Sequence, residues 1–539
     1  MNSAAGPLFF VDMPVETLAG EILSRMSDED ALAQTFMLGW VGAEPSPLIV
    51  DWIRDRHIGG VKIFGWNTED TRKLAETVGA LQTAALEGNG IPLLVATDQE
   101  GGWIRHVKGA TSETPGNMAI GASGYPRDAY LAGYYIGREL AVLGINMNFA
   151  PTVDLYTNSA STLIGPRSFG SDPVQAGILG TAFVRGHEKA GIIATAKHYP
   201  GHGDTDMDSH GVLPKITAPF DVLWERELVP YRMLARENIP AIMSGHLAFP
   251  NTPAASTPAS LSPWFLRTVL RDMIEFKGLV ITDDLMMNGA TLSAGNLSRA
   301  AKQAFLAGND IIMLSKTPNL YDPVWTSLVF AMREEPGFRG RVRDAARRVL
   351  MIKLRYLRGE NAVPYVPDMR KLDTELPHPE SSAFFLGLAA RSVTVVRGDL
   401  PLTPQKAGKV LLAGQFEDFF SAGKNAYPGA SSYHYSASRG NGELNYYARD
   451  ADTVIFCISD ASGLEPLRSL QNSGKKVYVF SVLSPTYIEE VPWTEGAIAV
   501  YSYASESFVA GFSALLGRIP APGRLPFSAG GVSAPRKTR

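Results

Sequence analysis

A single cysteine, Cys457, is all that the 539 residues contain. That excludes an internal disulfide and a cysteine-based zinc site, and it fits a reducing compartment. Basic excess is also missing. Lys and Arg number 50 against 54 Asp and Glu, a formal net charge of −4, so neither nucleic acid nor an anionic membrane surface is an expected partner. No apolar run approaches the roughly 20 residues that span a bilayer. The N-terminal stretch MNSAAGPLFFVDMPVETLAG has no basic residue before its short apolar patch, which Asp12 and Pro14 interrupt. It is not expected to serve as a secretory signal, and a cytoplasmic location is expected.

What is present is ordinary for a globular enzyme: 45% apolar and 19% charged residues. The length exceeds one core and predicts two domains. Apolar runs recur with helical spacers between them: FMLGW (36–40), GGVKIFGW (59–66), PLLVATD (92–98), INMNFAPTVD (145–154), IIATAKH (192–198), PAIMSGH (240–246), GLVITDD (278–284) and DIIMLS (310–315). Eight strand–helix alternations predict a (β/α)₈ barrel. Polar residues close these runs at their C-terminal ends: Asp98, Asp154, Lys197 with His198, His246, and Asp283 with Asp284. A barrel gathers such ends around one mouth.

The barrel is expected over 1–360 and a proline-rich linker over 361–380. A smaller α/β/α sandwich with a mainly parallel sheet is expected over 381–529, and a disordered tail over 530–539. The sandwich strands are read as SVTVVRG (392–398), KVLLAG (409–414), TVIFCIS (453–459), KVYVFSV (476–482) and AIAVYSY (497–503). Residues 420–446 read as a loop rich in Gly, Ser, Tyr and Asn, either reaching the barrel mouth or simply mobile.

The densest chemistry lies in KHYPGHGDTDMDSHGVLP (197–214), three histidines and three acids in a glycine-broken loop after a short apolar strand. In Asp208-Ser209-His210 a carboxylate and an imidazole stand two residues apart. Such a carboxylate fixes the ring tautomer and raises its pKa, leaving the other nitrogen suited to protonate a leaving oxygen and later deprotonate water. A histidine in that role is neutral after giving up its proton, so it tolerates an anionic acceptor or an acidic substrate group. Asp283 ends an apolar strand, held where a carboxylate nucleophile would be needed for glycoside hydrolysis with retention. Asp284, pointing the other way, is read as a cap on the following helix.

KHYPGHGDTDMDSH together with GLVITDDLMM resembles glycoside hydrolase family 3, specifically its bacterial β-N-acetylglucosaminidase branch. TDQEGG (97–102), TPGNMAIGA (114–122), GINMNFAPTVD (144–154), GPRSFGSDP (165–173), SLSPWFLRTVLR (260–271) and LAGNDIIML (306–314) support it in family order. The resemblance implies a retaining exo-acting enzyme with Asp283 as nucleophile and His210 as acid/base, with Asp208 as its dyad partner. It implies that Asp98, Arg167, Lys197 and His198 bind sugar hydroxyls, with no metal or organic cofactor. The implied partner is a small carbohydrate bearing N-acetylglucosamine, such as a fragment from cell-wall turnover. His202 and Asp204 are expected to brace the loop, and Asp154 to be a buried structural acid. His246 is read as either a packing or a supporting residue. Trp40, Trp66 and Trp103 are candidates for stacking on sugar faces, though core placement is the commoner fate.

One departure stands out. The branch commonly carries a sugar-binding arginine eight positions after the aspartate of DQEGG, where this chain has His106. Arg105, one position earlier, is the candidate substitute. Four other readings stay open: a β-glucosidase of the same family, a glycoside phosphorylase, a catalytically silent sugar-binding protein, and a metal-dependent hydrolase using His198, His202, Asp204 and His210.

Overall fold

A computed structural model describes residues 8–205, 207, 211–435 and 443–527. The expected tail and the dyad residues Asp208 and His210 lie outside the described residues. All eight expected barrel runs contain strands: β1 (Phe36–Gly39), β2 (Gly60–Ile63), β3 (Leu94–Thr97), β4 (Met147–Asn148), β5 (Ile193–Tyr199), β6 (Ala241–Ser244), β7 (Leu279–Thr282) and β8 (Ile312–Leu314). They pair in parallel in the order β8-β1-β2-β3-β4-β5-β6-β7. A parallel bridge between Ile281 and Ile311 closes the ring.

Period-two alternation divides the strands' side chains between two cores. Met37, Leu94, Ala96, Met147, Ile193, Met243, Leu279, Ile281 and Met313 fill the barrel interior. Phe36, Leu38, Val61, Ile63, Val95, Ala194, Ile242 and Val280 face the surrounding helices. Each buried Val, Leu, Ile, Phe or Met among them contributes about 1.5–3 kcal/mol. The helices start where their sequences dictate: Asp70, Asp172, Asn296 and Asp322 accept hydrogen bonds from first-turn amides, and proline follows Asp172 and Asp322 directly. At the N-terminal end of the barrel, buried Asp310 gathers Arg271, Arg341 and Arg348 at 2.8, 3.0 and 3.1 Å.

The helix Pro336–Tyr356 follows the last barrel strand. The expected linker is more ordered than its composition implies. Asp368 caps a helix over Met369–Glu375, whose Leu372 and the following Leu376 are buried in the barrel's outer core.

The second sheet has six strands: β9 (Thr394–Arg397), β10 (Val410–Gly414), β11 (Ser431–His434), β12 (Thr453–Ile458), β13 (Lys476–Ser481) and β14 (Gly496–Ala499). Their order is β9-β14-β13-β12-β10-β11, parallel except for β9. The loop reading of 420–446 is corrected in part. A helix covers Glu417–Ala426 and edge strand β11 pairs with β10. An edge strand buried on few of its positions carries no apolar run, so its sequence reads as loop.

The domains interlock. Asp128 pairs with Arg391 at 2.7 Å, and the Glu139 carboxylate accepts from the Ser112 and His378 amides. Met118, Ala119 and Tyr156 of the barrel share a small core with Ala499 and Tyr501. The chain then returns to the barrel. The Pro526 carbonyl accepts from the Ser171 amide at 3.0 Å, and the Phe527 ring packs edge-on against Tyr156.

Candidate active site

The inward register that fills the barrel interior continues past the strand ends and delivers charge to the mouth. Leu94 and Ala96 lead to Asp98; Leu279 and Ile281 lead to Asp283; Ile193 leads, two steps on, to Lys197. Two lysines clasp Asp98: Lys197 Nζ at 2.5 Å and Lys62 Nζ, from the middle of β2, at 2.7 Å. Lys197 also reaches Glu100 at 2.6 Å. Glu100 takes both Arg167 Nε and Nη2, at 2.9 and 2.7 Å. Arg167 Nη2 lies 3.4 Å from His198 Nε2, while His198 Nδ1 donates to Asp154 at 2.7 Å. Asp154 additionally accepts the His202 amide at 2.7 Å.

This chain of contacts is almost entirely enclosed: Arg167 is 8% exposed, His198 7%, Lys197 2% and Glu100 1%. Burial alone would neutralise these acids. For Asp98 it is outweighed by Lys197 and Lys62, which hold the carboxyl well below its usual range. For Glu100, Arg167 and Lys197 outweigh it and bring the value down to about 2. Burial also opposes the charge on Asp283, but His198, His246 and the Asp284 amide prevail, so it stays ionised below the usual range. The Asp283 amide donates to the Ser244 carbonyl at the end of β6, and its Oδ1 accepts from the Asp284 amide at 2.8 Å.

Asp98, Lys197, Arg167 and His198 are therefore one connected cluster, at the same mouth as Asp283. Arg105 is not in it. Its guanidinium turns to the Thr111 carbonyl and to Glu113, both at 2.9 Å, in a cleft lined also by Trp103 and Tyr503 of the second domain. Alternation along the short hairpin strand Ile104–Arg105 sends neighbours to opposite faces. The next residue, His106, is anchored by its amide to the Asp98 carbonyl and brings Nδ1 to 3.7 Å from the Asp98 carboxylate.

Asp284 does not cap the following helix, whose N-cap position is Met287. Its carboxylate accepts from the Met286 and Ser315 amides, each at 3.0 Å, tying the end of β7 to that of β8. Its carbonyl accepts from His246 Nε2 at 3.0 Å, and Ser260 Oγ sits 2.7 Å from His246 Nδ1. His246 thus supports the strand end that carries Asp283. Asp204 pairs with Arg226 at 2.6 Å, bracing the segment that follows β5. Trp40 is buried, and Trp66 stacks on Phe64 with 4.5 Å between centroids.

Comparison with known proteins places the chain. The family model described as "Glycosyl hydrolase family 3 N terminal domain" matches residues 30–352. The chain belongs to glycosyl hydrolase family 3. Over 286 residues it is 36% identical to "Beta-hexosaminidase A" of Pseudoalteromonas piscicida, a match covering 50% of this chain but only 47% of that protein. Over 276 residues it is 34% identical to "Beta-hexosaminidase" of Neisseria meningitidis, covering 50% of this chain and 74% of the relative. A solved family 3 β-N-acetylglucosaminidase from Paenibacillus sp. str. FPU-7 superposes with a TM-score of 0.85 at 27% identity, covering 94% of this chain and all of that one.

Two members of this family 3 cluster carried no expectation from sequence. Glu100 sits in a short motif that offers no clue to which basic residues it will meet. Lys62 did leave a signal: a lone charge in the middle of GGVKIFGW, at an inward-facing position of a barrel strand. Chemically, the assembly holds an ionised carboxylate, Asp283, beside a rigid, charge-balanced set of donors and acceptors. Such a set suits sugar hydroxyls, which both donate and accept.

Proposed function

We propose that this family 3 glycoside hydrolase removes single terminal β-linked N-acetylglucosamine (N-acetylhexosamine) residues, with retention. The observation that carries the reading is the enclosed network running Lys62–Asp98–Lys197–Glu100–Arg167–His198–Asp154 next to ionised Asp283. A network this enclosed fits one chain-terminal sugar rather than a long polymer. Asp283 attacks the anomeric carbon and forms a glycosyl-enzyme while the leaving oxygen takes a proton from His210, oriented by Asp208. Water, deprotonated by the same imidazole, then releases the sugar. Asp98, Lys197, Arg167 and His198 fix the hydroxyls. Because ion pairs already order these groups, little reorganisation accompanies binding.

The hexosaminidase names of the relatives support the acetamido sugar as substrate, and the two matches quoted each cover half of this chain. Fragments from cell-wall turnover are the proposed natural source, and a cytoplasmic site of action is in keeping with the single buried cysteine. Among the described residues no helix is long and apolar enough to cross a membrane.

The test compares aryl N-acetyl-β-glucosaminide with aryl β-glucoside on the wild type. A strong preference for the acetamido sugar supports the reading. A preference for the glucoside would move the enzyme to another branch, and no turnover of either would sink the hydrolase assignment. Labelling with a 5-fluoro sugar that stalls the intermediate, followed by peptide mass mapping, should place the adduct on Asp283. An adduct elsewhere would refute the nucleophile.

A further inference from the structure

His106 stands where the resemblance would put an arginine, and the structure holds a buried cation beside it. The cation comes from another strand. Lys62 is completely enclosed in β2. Its Nζ touches three acceptors: Asp98 Oδ2 at 2.7 Å, the Ile63 carbonyl at 2.8 Å and His106 Nδ1 at 3.4 Å. Burial disfavours a charge on Lys62, but the Asp98 carboxylate at 2.7 Å and the Ile63 carbonyl at 2.8 Å both accept from Nζ, and the ion pair favours the ammonium. The Phe64 ring lies 4.2 Å from Nζ and stabilises the same charge.

We infer that Lys62 and His106 together replace the arginine: Lys62 positions Asp98 and fixes the His106 tautomer, and His106 Nε2–H binds a substrate hydroxyl. An ammonium cannot accept, so its 3.4 Å contact with Nδ1 favours a bare Nδ1 and a ring proton on Nε2; the Asp98 carboxylate, 3.7 Å from Nδ1, and the Ile63 carbonyl are the acceptors that favour the other tautomer. The Lys62 side chain is fully covered, whereas that of His106 is 29% exposed, so the lysine acts through its neighbours and the imidazole is the part a ligand can reach. The ring also stays neutral. Burial, then Lys62, hold its pKa to about 4, so it presents one N–H at neutral pH instead of an arginine's fork. A single donor recognises one hydroxyl, where a guanidinium could bridge two groups. His106 thereby becomes a specificity-determining contact at the non-reducing end. This rests on the exo-glycosidase reading, and the experiment separates the two.

Ring ¹⁵N NMR of the wild type, with His106 assigned by its absence from His106→Phe, tests the pairing without any turnover. The expected spectrum shows Nε2 protonated and Nδ1 bare. An Nδ1–H tautomer, or a fast mixture of both, would overturn the inference. The second arm measures kcat/KM for wild type, His106→Phe and His106→Gln on aryl N-acetyl-β-glucosaminide and its 3-, 4- and 6-deoxy analogues. His106→Phe should lose on the order of ten-fold on the parent sugar, a loss that nearly vanishes on one deoxy analogue. His106→Gln, which keeps an N–H, should recover part of it. An equal loss on every analogue would reduce His106 to a structural role and refute the contact. If the wild type turns over none of these sugars, the glycosidase reading falls while the NMR result still decides the Lys62–His106 pairing.

Discussion

Glu100 and Arg167 meet as a two-pronged pair at 2.9 and 2.7 Å, with 1% and 8% of their side chains exposed. Both are nearly closed off from water, so each charge is stabilised chiefly by the other. Glu100 shares an oxygen with Lys197 as well, which makes it the hinge between the lysine half and the histidine half of the site.

Glu100→Ala leaves Arg167 and Lys197 short of a counter-charge and should cost about 3–5 kcal/mol in chemical unfolding. The pH dependence has a definite sign. With a folded value of about 2 against an ordinary 4.5, Glu100 stabilises the fold fully above about pH 4.5. That contribution is lost as the pH falls toward 2. Melting temperatures from pH 7 to 3 should therefore fall more steeply for wild type than for Glu100→Gln. Parallel curves would remove Glu100 from the account.

Asp283→Ala should reduce turnover by on the order of 10⁴-fold or more. Added azide should partly rescue it by occupying the space of the lost carboxylate and giving a glycosyl azide of inverted configuration. Rescue without inversion, read by proton NMR of the product, would contradict a nucleophilic role.

Arg105→Ala should change KM by no more than about two-fold, because the guanidinium is engaged by Glu113 and Thr111 in a partly exposed pair of small worth. A ten-fold rise in KM would return Arg105 to the sugar site.

Gly170 has a φ of +139°, and a β-carbon there would collide with the Pro526 carbonyl. Gly170→Ala should cost more than about 1 kcal/mol and lower kcat/KM, since the displaced loop carries Arg167. Unchanged kinetics would show that the contact with the second domain does not reach the site.

The barrel was legible because its strands are short apolar runs ended by polar residues, a pattern local enough to read one run at a time. Asp98, Lys197 and Asp283 could be located the same way, as the next inward steps beyond interior side chains. What could not be read were partnerships set by closure of the ring. Lys62 meets Asp98 only because β2 and β3 pair in register, and Glu100 meets Arg167 across two loops. Asp284 looked like a cap because sequence shows the helix ahead but not the Ser315 amide beside it. Strand β11 escaped because an edge needs no apolar face.

The hydrogen bond from Ser171 to Pro526 also bears on biosynthesis. A ribosome emits the barrel first, and all eight of its strands are available well before the sandwich appears. The loop bearing Arg167 nonetheless lacks its far partner until the second domain has been made and has folded back. A nascent barrel would thus be closed yet unfinished as a binding site, and the maturation of the pocket is timed by synthesis of a domain that supplies none of the network's charged groups.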